Sequence, residues 1–205
     1  MELSSKIVNY REKGCKVGLV SLDLSSAFNC CSTQILIPKL KRLGFSEEAL
    51  DVITAFMTNR RIRVKIKDSV SSEITLKDST PEGGITSPNL FQILIVDFSV
   101  LRNRVLNRCQ QLGANEVQVC EVESNEYADD CLLIVAAKDD DLLQMAIDVA
   151  YEEAFNFFSS NNLLVNSSKS ELMVIGKQSG KKFYVNGIED SETMKLVGLR
   201  FDNKM

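Results

Sequence analysis

The chain contains no histidine, and none of its six cysteines, at 15, 30, 31, 109, 120 and 131, forms a C-x-x-C pair. A structural zinc site needs Cys and His ligands at close spacing, so none is expected, and the cysteines read as buried or free thiols of a reducing compartment. No run of 18 apolar residues occurs, which excludes a spanning helix of ordinary length. The N-terminus, Met1-Glu2-Leu3-Ser4-Ser5-Lys6, lacks the apolar core of a secretion signal. An intracellular setting without a membrane is expected, nuclear or cytoplasmic. A basic surplus is also missing: the net charge is −4 over 205 residues. That argues against a self-sufficient nucleic-acid binder, but not against a catalytic core whose carboxylates hold metal ions.

With 44% hydrophobic residues, the chain can bury one sizeable core. Residues 16–23 predict a buried strand ending in an acid, and a short segment, 24–31, follows. Ser32-Thr33 caps a helix to about Leu43 that Gly44 closes, and Ser46 with Glu47-Glu48 opens another to about Thr58. Residues 60–67 and 72–79 alternate polar and apolar around Asp68-Ser69-Val70-Ser71 and predict a hairpin. After Pro81-Glu82-Gly83-Gly84, Ser87-Pro88 reads as an N-cap followed by proline at the first helical position. Leu90, Leu94, Leu101 and Val105 continue at helical spacing, with Phe91 and Phe98 beside them. Residues 108–116 look loop-like. A second hairpin is expected from 117–123 and 131–137, then a long amphipathic helix over 139–160, then four short strands near 162–166, 171–176, 182–188 and 194–201. Mixed, non-alternating elements of this kind predict an α+β domain, an antiparallel sheet with helices on one face.

Two acid clusters stand at strand ends. In Tyr127-Ala128-Asp129-Asp130, two adjacent carboxylates precede the apolar run Cys131-Leu132-Leu133-Ile134-Val135. Pinning like charges against a core is unfavourable unless a cation lies between them, and hard oxygen ligands suit Mg²⁺ or Mn²⁺. Taken alone, the tetrapeptide reads equally as an exposed Asp-Asp turn. Leu22-Asp23-Leu24-Ser25-Ser26-Ala27-Phe28-Asn29 sets a third acid at the end of another apolar strand. Asp23 and Asp129 on neighbouring strands would supply the carboxylates that two-metal phosphoryl transfer requires. Alone, Asp23 is equally a strand-end cap.

The chain resembles the reverse transcriptases of non-LTR (LINE-type) retrotransposons, in order, over about residues 10–203. Leu22–Phe28 resembles the first catalytic motif and Ile35–Phe45 the helix after it. Pro81-Glu82-Gly83-Gly84-Ile85-Thr86-Ser87-Pro88-Asn89-Leu90-Phe91 resembles P-Q-G-x-x-x-S-P-x-L-F, and Tyr127–Asp130 resembles Y-x-D-D. Asn161–Glu171 resembles N-G-L-x-x-N-x-x-K-T-E, and Lys195–Asp202 the last palm motif, Y-L-G-x-x-x-D.

The resemblance implies a polymerase palm, a central antiparallel sheet packed on helices, acting as an RNA-directed DNA polymerase on an RNA template, a DNA primer and dNTPs. Two Mg²⁺ ions, or Mn²⁺ in their place, would be held by Asp23, Asp129, Asp130 and the Leu24 carbonyl, with Asp130 bound less directly. Lys169 would protonate the leaving pyrophosphate. Leu24, Ser25, Ser26, Ala27, Phe28, Gly83 and Gly84 would meet the nucleotide, with Phe28 excluding a 2′-hydroxyl. Tyr127 and Gly198 would lie at the primer, and Glu82 and Gly83 at the template. Two departures stand out: Glu82 replaces the usual Gln, and Asn29 stands where Asp is frequent. The glycine of N-G-L is Asn162.

Fingers and thumb segments are largely missing from these 205 residues, so the isolated chain is expected to extend primers poorly. A silent retrotransposon remnant, a nucleic-acid-binding module and a group II intron-type maturase palm are the alternatives.

Overall fold

The computed structural model describes residues 3–114, 119–127, 130–196 and 199–203. In chain order the elements are α1 (Leu3–Glu12), β1 (Lys16–Ser25), α2 (Thr33–Arg42), α3 (Glu47–Met57), β2 (Thr58–Ile62), β3 (Lys65–Ile66), β4 (Ser69–Val70), β5 (Ile74–Asp78), α4 (Ser87–Leu94), a 3₁₀ turn (Val96–Val100) and α5 (Leu101–Gln111). There follow β6 (Val119–Tyr127), β7 (Asp130–Ala137), α6 (Asp140–Ser160), β8 (Leu164–Val165), β9 (Glu171–Ile175), β10 (Tyr184–Val185), β11 (Ile188–Ser191), β12 (Thr193–Leu196) and β13 (Leu199–Asp202). They form two compact units. The first holds residues 1–25, 97–159 and 165–205, and the second holds 26–96 and 160–164.

The first unit is built on a sheet in the order β10-β11-β9-β1-β7-β6. Along this order the pairings are antiparallel, as expected, except β11 with β9, which is parallel and makes that edge of the sheet mixed. Both faces are covered, not one. Val17 and Leu19 of β1, Leu132, Ile134 and Ala136 of β7, and Met173 and Ile175 of β9 pack with Ile7 and Tyr10 of α1 and with Met194 and Leu196 of β12. On the opposite face, Gly18 lies under Ile147 and Leu143 of α6. Cover on both sides explains why every residue from Cys131 to Ala137 is buried without alternation. The apolar stripe of α6 lies as expected, with Leu143, Ala146, Ile147, Ala150, Ala154 and Phe157 all buried. Phe98 lies with its ring centroid 4.9 Å from those of both Phe157 and Phe158.

In the second unit α2 and α3 begin as expected. The Ser32 hydroxyl accepts from the Gln34 amide and the Ser46 hydroxyl from the Ala49 amide. Gly44, at φ +87°, follows α2 in the left-handed region. Leu36, Leu40, Leu50, Met57, Leu90, Phe91 and Leu94 are buried.

Several expectations are corrected. The 60–79 hairpin turns at Lys67-Asp68, between the paired residues Ile66 and Ser69, not over residues 68–71. Ser87 does not cap α4. Thr86 holds that position, and the Ser87 hydroxyl donates to the Pro81 carbonyl at 2.6 Å. The apolar spacing from Leu90 to Val105 spans two helices broken by the 3₁₀ turn, and α5 continues through residues expected to be a loop. Residues 182–188 are not one strand. Asn186 and Gly187, at φ +46° and +80°, turn β10 back as β11, the Asn-Gly hairpin geometry. The 194–201 segment likewise is not one strand: β12 pairs antiparallel with β13. Helix α1 has no counterpart in the sequence reading.

Candidate active site

The site grows from strand alternation. In β1 the residues Val17, Leu19, Ser21 and Asp23 point to one face, and in β7 Ala136, Ile134, Leu132 and Asp130 point to the same face, because each of these pairs is in direct register. The inner members of both rows are core. The outer members are acids: Asp23 lies opposite Asp130. Directly opposed residues of an antiparallel pair have Cβ atoms about 4.5–5.5 Å apart, within reach of one shared cation. Asp130 is exposed and the Asp23 side chain is one-third exposed, so the row of side chains passes from core to solvent at these two carboxylates. Asp129, with Ala128, lies outside the described residues, as does Gly198. Tyr127 ends β6 and pairs with Asp130.

A second segment fixes Asp23 through its backbone. The Asn166 amide donates to the Asp23 carbonyl at 2.8 Å, and the Asp23 amide donates to the Ser170 hydroxyl at 3.3 Å. The Ser170 hydroxyl in turn donates to the Asn166 carbonyl at 2.9 Å. The amide and hydroxyl of Ser168 both bond the Asn166 side-chain oxygen, which tightens the loop. Lys169 sits on this loop, 69% exposed, with its Nζ 3.9 Å from Asp23 Oδ2. Asn166 and Ser170 were not singled out in the sequence. Their signal was present, since they flank Lys169 in the N-x-x-K segment, and the structure shows that the segment grips the end of β1. Leu24 is buried and Ser25 ends the strand.

The remaining predicted residues lie in the second unit. Ser26 takes φ +50°, and its carbonyl accepts from the amides of Asn29 and Cys30 at 2.9 and 3.0 Å, closing a tight turn. Ala27 is buried. Phe28 is half-buried, with its ring centroid 5.5 Å from that of Phe91, and its carbonyl accepts from both the amide and the hydroxyl of Thr80. Gly83 has φ +76°, a conformation that favours glycine. Gly84 has an internal reason to be glycine: a Cβ there would stand 2.6 Å from the Ser87 hydroxyl and 3.2 Å from the Pro81 carbonyl. Glu82 is exposed and accepts from the Asn29 side-chain amide at 2.8 Å.

A mainly antiparallel sheet with helical cover and acids at the end of its central strands is the palm of a nucleic-acid polymerase. Comparison with known proteins agrees. The telomerase of Candida tropicalis, truncated of its C-terminal domain, superposes with a TM-score of 0.59 at 13% identity, over 98% of this chain and 38% of that one. The telomerase of Candida albicans, solved with a fragment of telomeric RNA, gives 0.56 at 15% identity, over 98% of this chain and 32% of that one. The family of reverse transcriptases (RNA-dependent DNA polymerases) matches residues 3–201, and the chain belongs to that family.

Among its relatives, a retrovirus-related Pol polyprotein from type-1 retrotransposable element R2 of Popillia japonica is 23% identical over 94% of this chain. A second such polyprotein of the same species is 24% identical over 87% of it. The chain spans 32% and 24% of their lengths. The resemblance to retrotransposon reverse transcriptases is thereby borne out. The family uses divalent metal ions. The donor set here fits them, with carboxylate oxygens from two paired strands at a partly solvated strand end.

Proposed function

We propose that the chain is the catalytic palm of an RNA-directed DNA polymerase that adds deoxynucleotides to a primer 3′-hydroxyl. The observation that carries this reading is the register of Asp23 opposite Asp130, which brings acids from distant parts of the sequence to one strand end. In the reaction, the primer 3′-oxygen forms a bond to the α-phosphorus of the dNTP. The bond from that phosphorus to the bridging oxygen of pyrophosphate breaks, and the hydroxyl proton is lost. Two divalent cations, when bound, acidify the primer hydroxyl and stabilise the charge on the transferring phosphate. Asp23, Asp129, Asp130 and the Leu24 carbonyl are the proposed ligands.

Lys169 is the proposed proton donor to pyrophosphate. Its ammonium lies 3.9 Å from Asp23 Oδ2 and is open to solvent. Asn166 and Ser170 position Asp23 through its backbone, so the carboxylate itself stays available. Ser25, Ser26, Ala27, Phe28, Gly83 and Gly84 retain the nucleotide-binding roles implied by their motifs, Tyr127 and Gly198 the primer roles, and Glu82 a template role.

The test has two readouts. Mn²⁺ binding, followed by electron paramagnetic resonance without nucleotide or primer, should weaken at least tenfold in Asp23→Asn and in Asp129→Asn. Primer extension on RNA and DNA templates, with the chain alone and with fingers and thumb segments added to it, should disappear in the Asp129→Asn/Asp130→Asn variant. Extension that survives in that variant, or Mn²⁺ affinity unchanged by both single substitutions, would overturn the reading.

A further inference from the structure

The second unit carries a hairpin, β2–β5 with β3–β4 at its tip, that runs against the charge of the rest of the chain. Residues 58–78 hold six basic side chains, Arg60, Arg61, Arg63, Lys65, Lys67 and Lys77, against three acids, Asp68, Glu73 and Asp78, in a protein whose net charge is −4. The hairpin base is fixed. Asp78 accepts from the Thr33 amide and from the hydroxyls of Ser32 and Thr33 at the start of α2, and Arg60 reaches the Ser79 carbonyl. Beyond that base the ribbon stands clear of its own unit, and every residue from Arg61 to Thr75 is exposed.

Its side chains sort by alternation into two unlike faces. Ile62 opposes Ile74 and Arg60 opposes Leu76, so these share a face that Val64 and Ile66 continue, and beyond Arg60 at the base it is aliphatic. Arg61 and Arg63 lie on the other face, where Glu73 reaches both, and Lys65 follows them; Lys77 joins them with the same alternation as Thr75 opposite Arg61, and Lys67 stands at the end of the row, in the turn, at φ +53°. Glu73 pairs with Arg61 and Arg63 on that basic face, at 3.6 and 3.1 Å. The ammonium groups of Lys65, Lys67 and Lys77 make no ion pair or hydrogen bond among the described residues.

A row of unpaired ammonium groups on a ribbon with an anchored base is complementary to regularly spaced anions. We propose that the basic face of this hairpin binds the phosphate backbone of an RNA strand, with Lys65, Lys67 and Lys77 as the contacting groups. The choice of RNA rests on the polymerase reading; the charge geometry does not. Contacts of this kind are independent of sequence, and each contributes through counterion release, so their signature is the salt dependence of binding.

The test is equilibrium binding of fluorescein-labelled single-stranded RNA by fluorescence anisotropy, over a sodium chloride titration, without metal or dNTP. It is therefore readable whether or not the chain extends primers. Lys65→Gln/Lys67→Gln/Lys77→Gln should weaken RNA binding by roughly tenfold at low salt and make the log–log salt slope shallower by about 2, three phosphate contacts on a single strand. Ile62→Ser/Ile66→Ser, on the other face, should leave that slope unchanged. Wild-type affinity and slope in the lysine variant would overturn the proposal, as would weaker binding with an unchanged slope. So would a result in which only the isoleucine variant matters, by altering self-association, because the hairpin would then be a protein-docking surface.

Discussion

The Asn29 side-chain amide donates to Glu82 Oε1 at 2.8 Å, and these are two of the positions at which the chain departs from its family's motifs. The usual pattern sets a carboxylate at the first position and an amide at the second. Here the amide and the carboxylate have changed places and still meet. Glu82 is thus engaged by Asn29 and is not an uncompensated negative charge beside Gly83. Asn29→Asp should set two carboxylates against each other and destabilise the chain by about 0.5–1 kcal/mol, the scale of one exposed hydrogen bond. Glu82→Gln in that background should restore stability by recreating the familiar pair. Chemical denaturation of the four proteins in this cycle measures the coupling, and strictly additive effects would show that the two substitutions are independent.

A close approach holds α6 against the sheet. A Cβ at Gly18 would lie 2.5 Å from Ile147 Cδ1 and 2.9 Å from Cγ1. Gly18→Ala should therefore cost about 1–3 kcal/mol through overpacking, although alanine is the better residue on backbone grounds. Ile147→Val removes the nearer atom and should recover part of that loss in the double variant. A Gly18→Ala protein as stable as the parent in urea denaturation would show that α6 shifts freely.

What the sequence made legible was whatever rests on periodicity and caps. α2, α3, α6 and the two acid-bearing strands, β1 and β7, follow from apolar runs and stripes, and Ser32, Ser46 and Gly44 mark helix ends by local chemistry. What stayed hidden depends on partners distant in sequence. Helix α1 buries only Ile7 and Tyr10, too few for a stripe, and docks through Lys6 and Tyr10 to Glu123. β6 extends past the expected 117–123 to Tyr127 through Ser124, Asn125 and Glu126, polar residues with no strand signal of their own, whose place is set by pairing with Leu133, Leu132 and Cys131 of β7. At the site, the carboxylate positions could be read from motifs. The N-x-x-K segment marks Asn166 and Ser170, but not their grip on Asp23, because it joins residues more than a hundred positions apart through the main-chain atoms of Asp23.

The Glu123 contact predicts a pH dependence. Burial pushes its carboxyl up, but hydrogen bonds from Lys6 and Tyr10, with the charges of Lys6 and Arg102, outweigh burial and hold it below its ordinary value of 4.5. A carboxyl depressed in the folded state adds stability above its unfolded value, and that increment is lost as pH falls through the folded one. Wild type should accordingly lose more stability than Glu123→Gln on acidification from pH 7 to below about 4.5, where carboxylates ordinarily protonate. At pH 7 the variant should be weaker by about 1–3 kcal/mol, the scale of hydrogen bonds to a charged group. Denaturation midpoints of both proteins at several pH values check this, and parallel curves would contradict it.

Lys169 approaches Asp23 as a weak ion pair: 3.9 Å is too long for a direct hydrogen bond, and the lysine is largely in water. Its removal should therefore change stability by no more than about 0.5 kcal/mol. Its proposed role in protonating the leaving pyrophosphate predicts a much larger kinetic effect, about 10²-fold or more in the rate of nucleotide addition, the usual contribution of a positioned acid. Lys169→Met removes both charge and proton, whereas Lys169→Arg retains the charge but donates its proton far less readily. Single-turnover extension should then be slow in both variants, with nucleotide affinity better preserved in the arginine form. If Lys169→Arg turned over at the wild-type rate, the side chain would be acting as a charge near the acids and not as the proton donor.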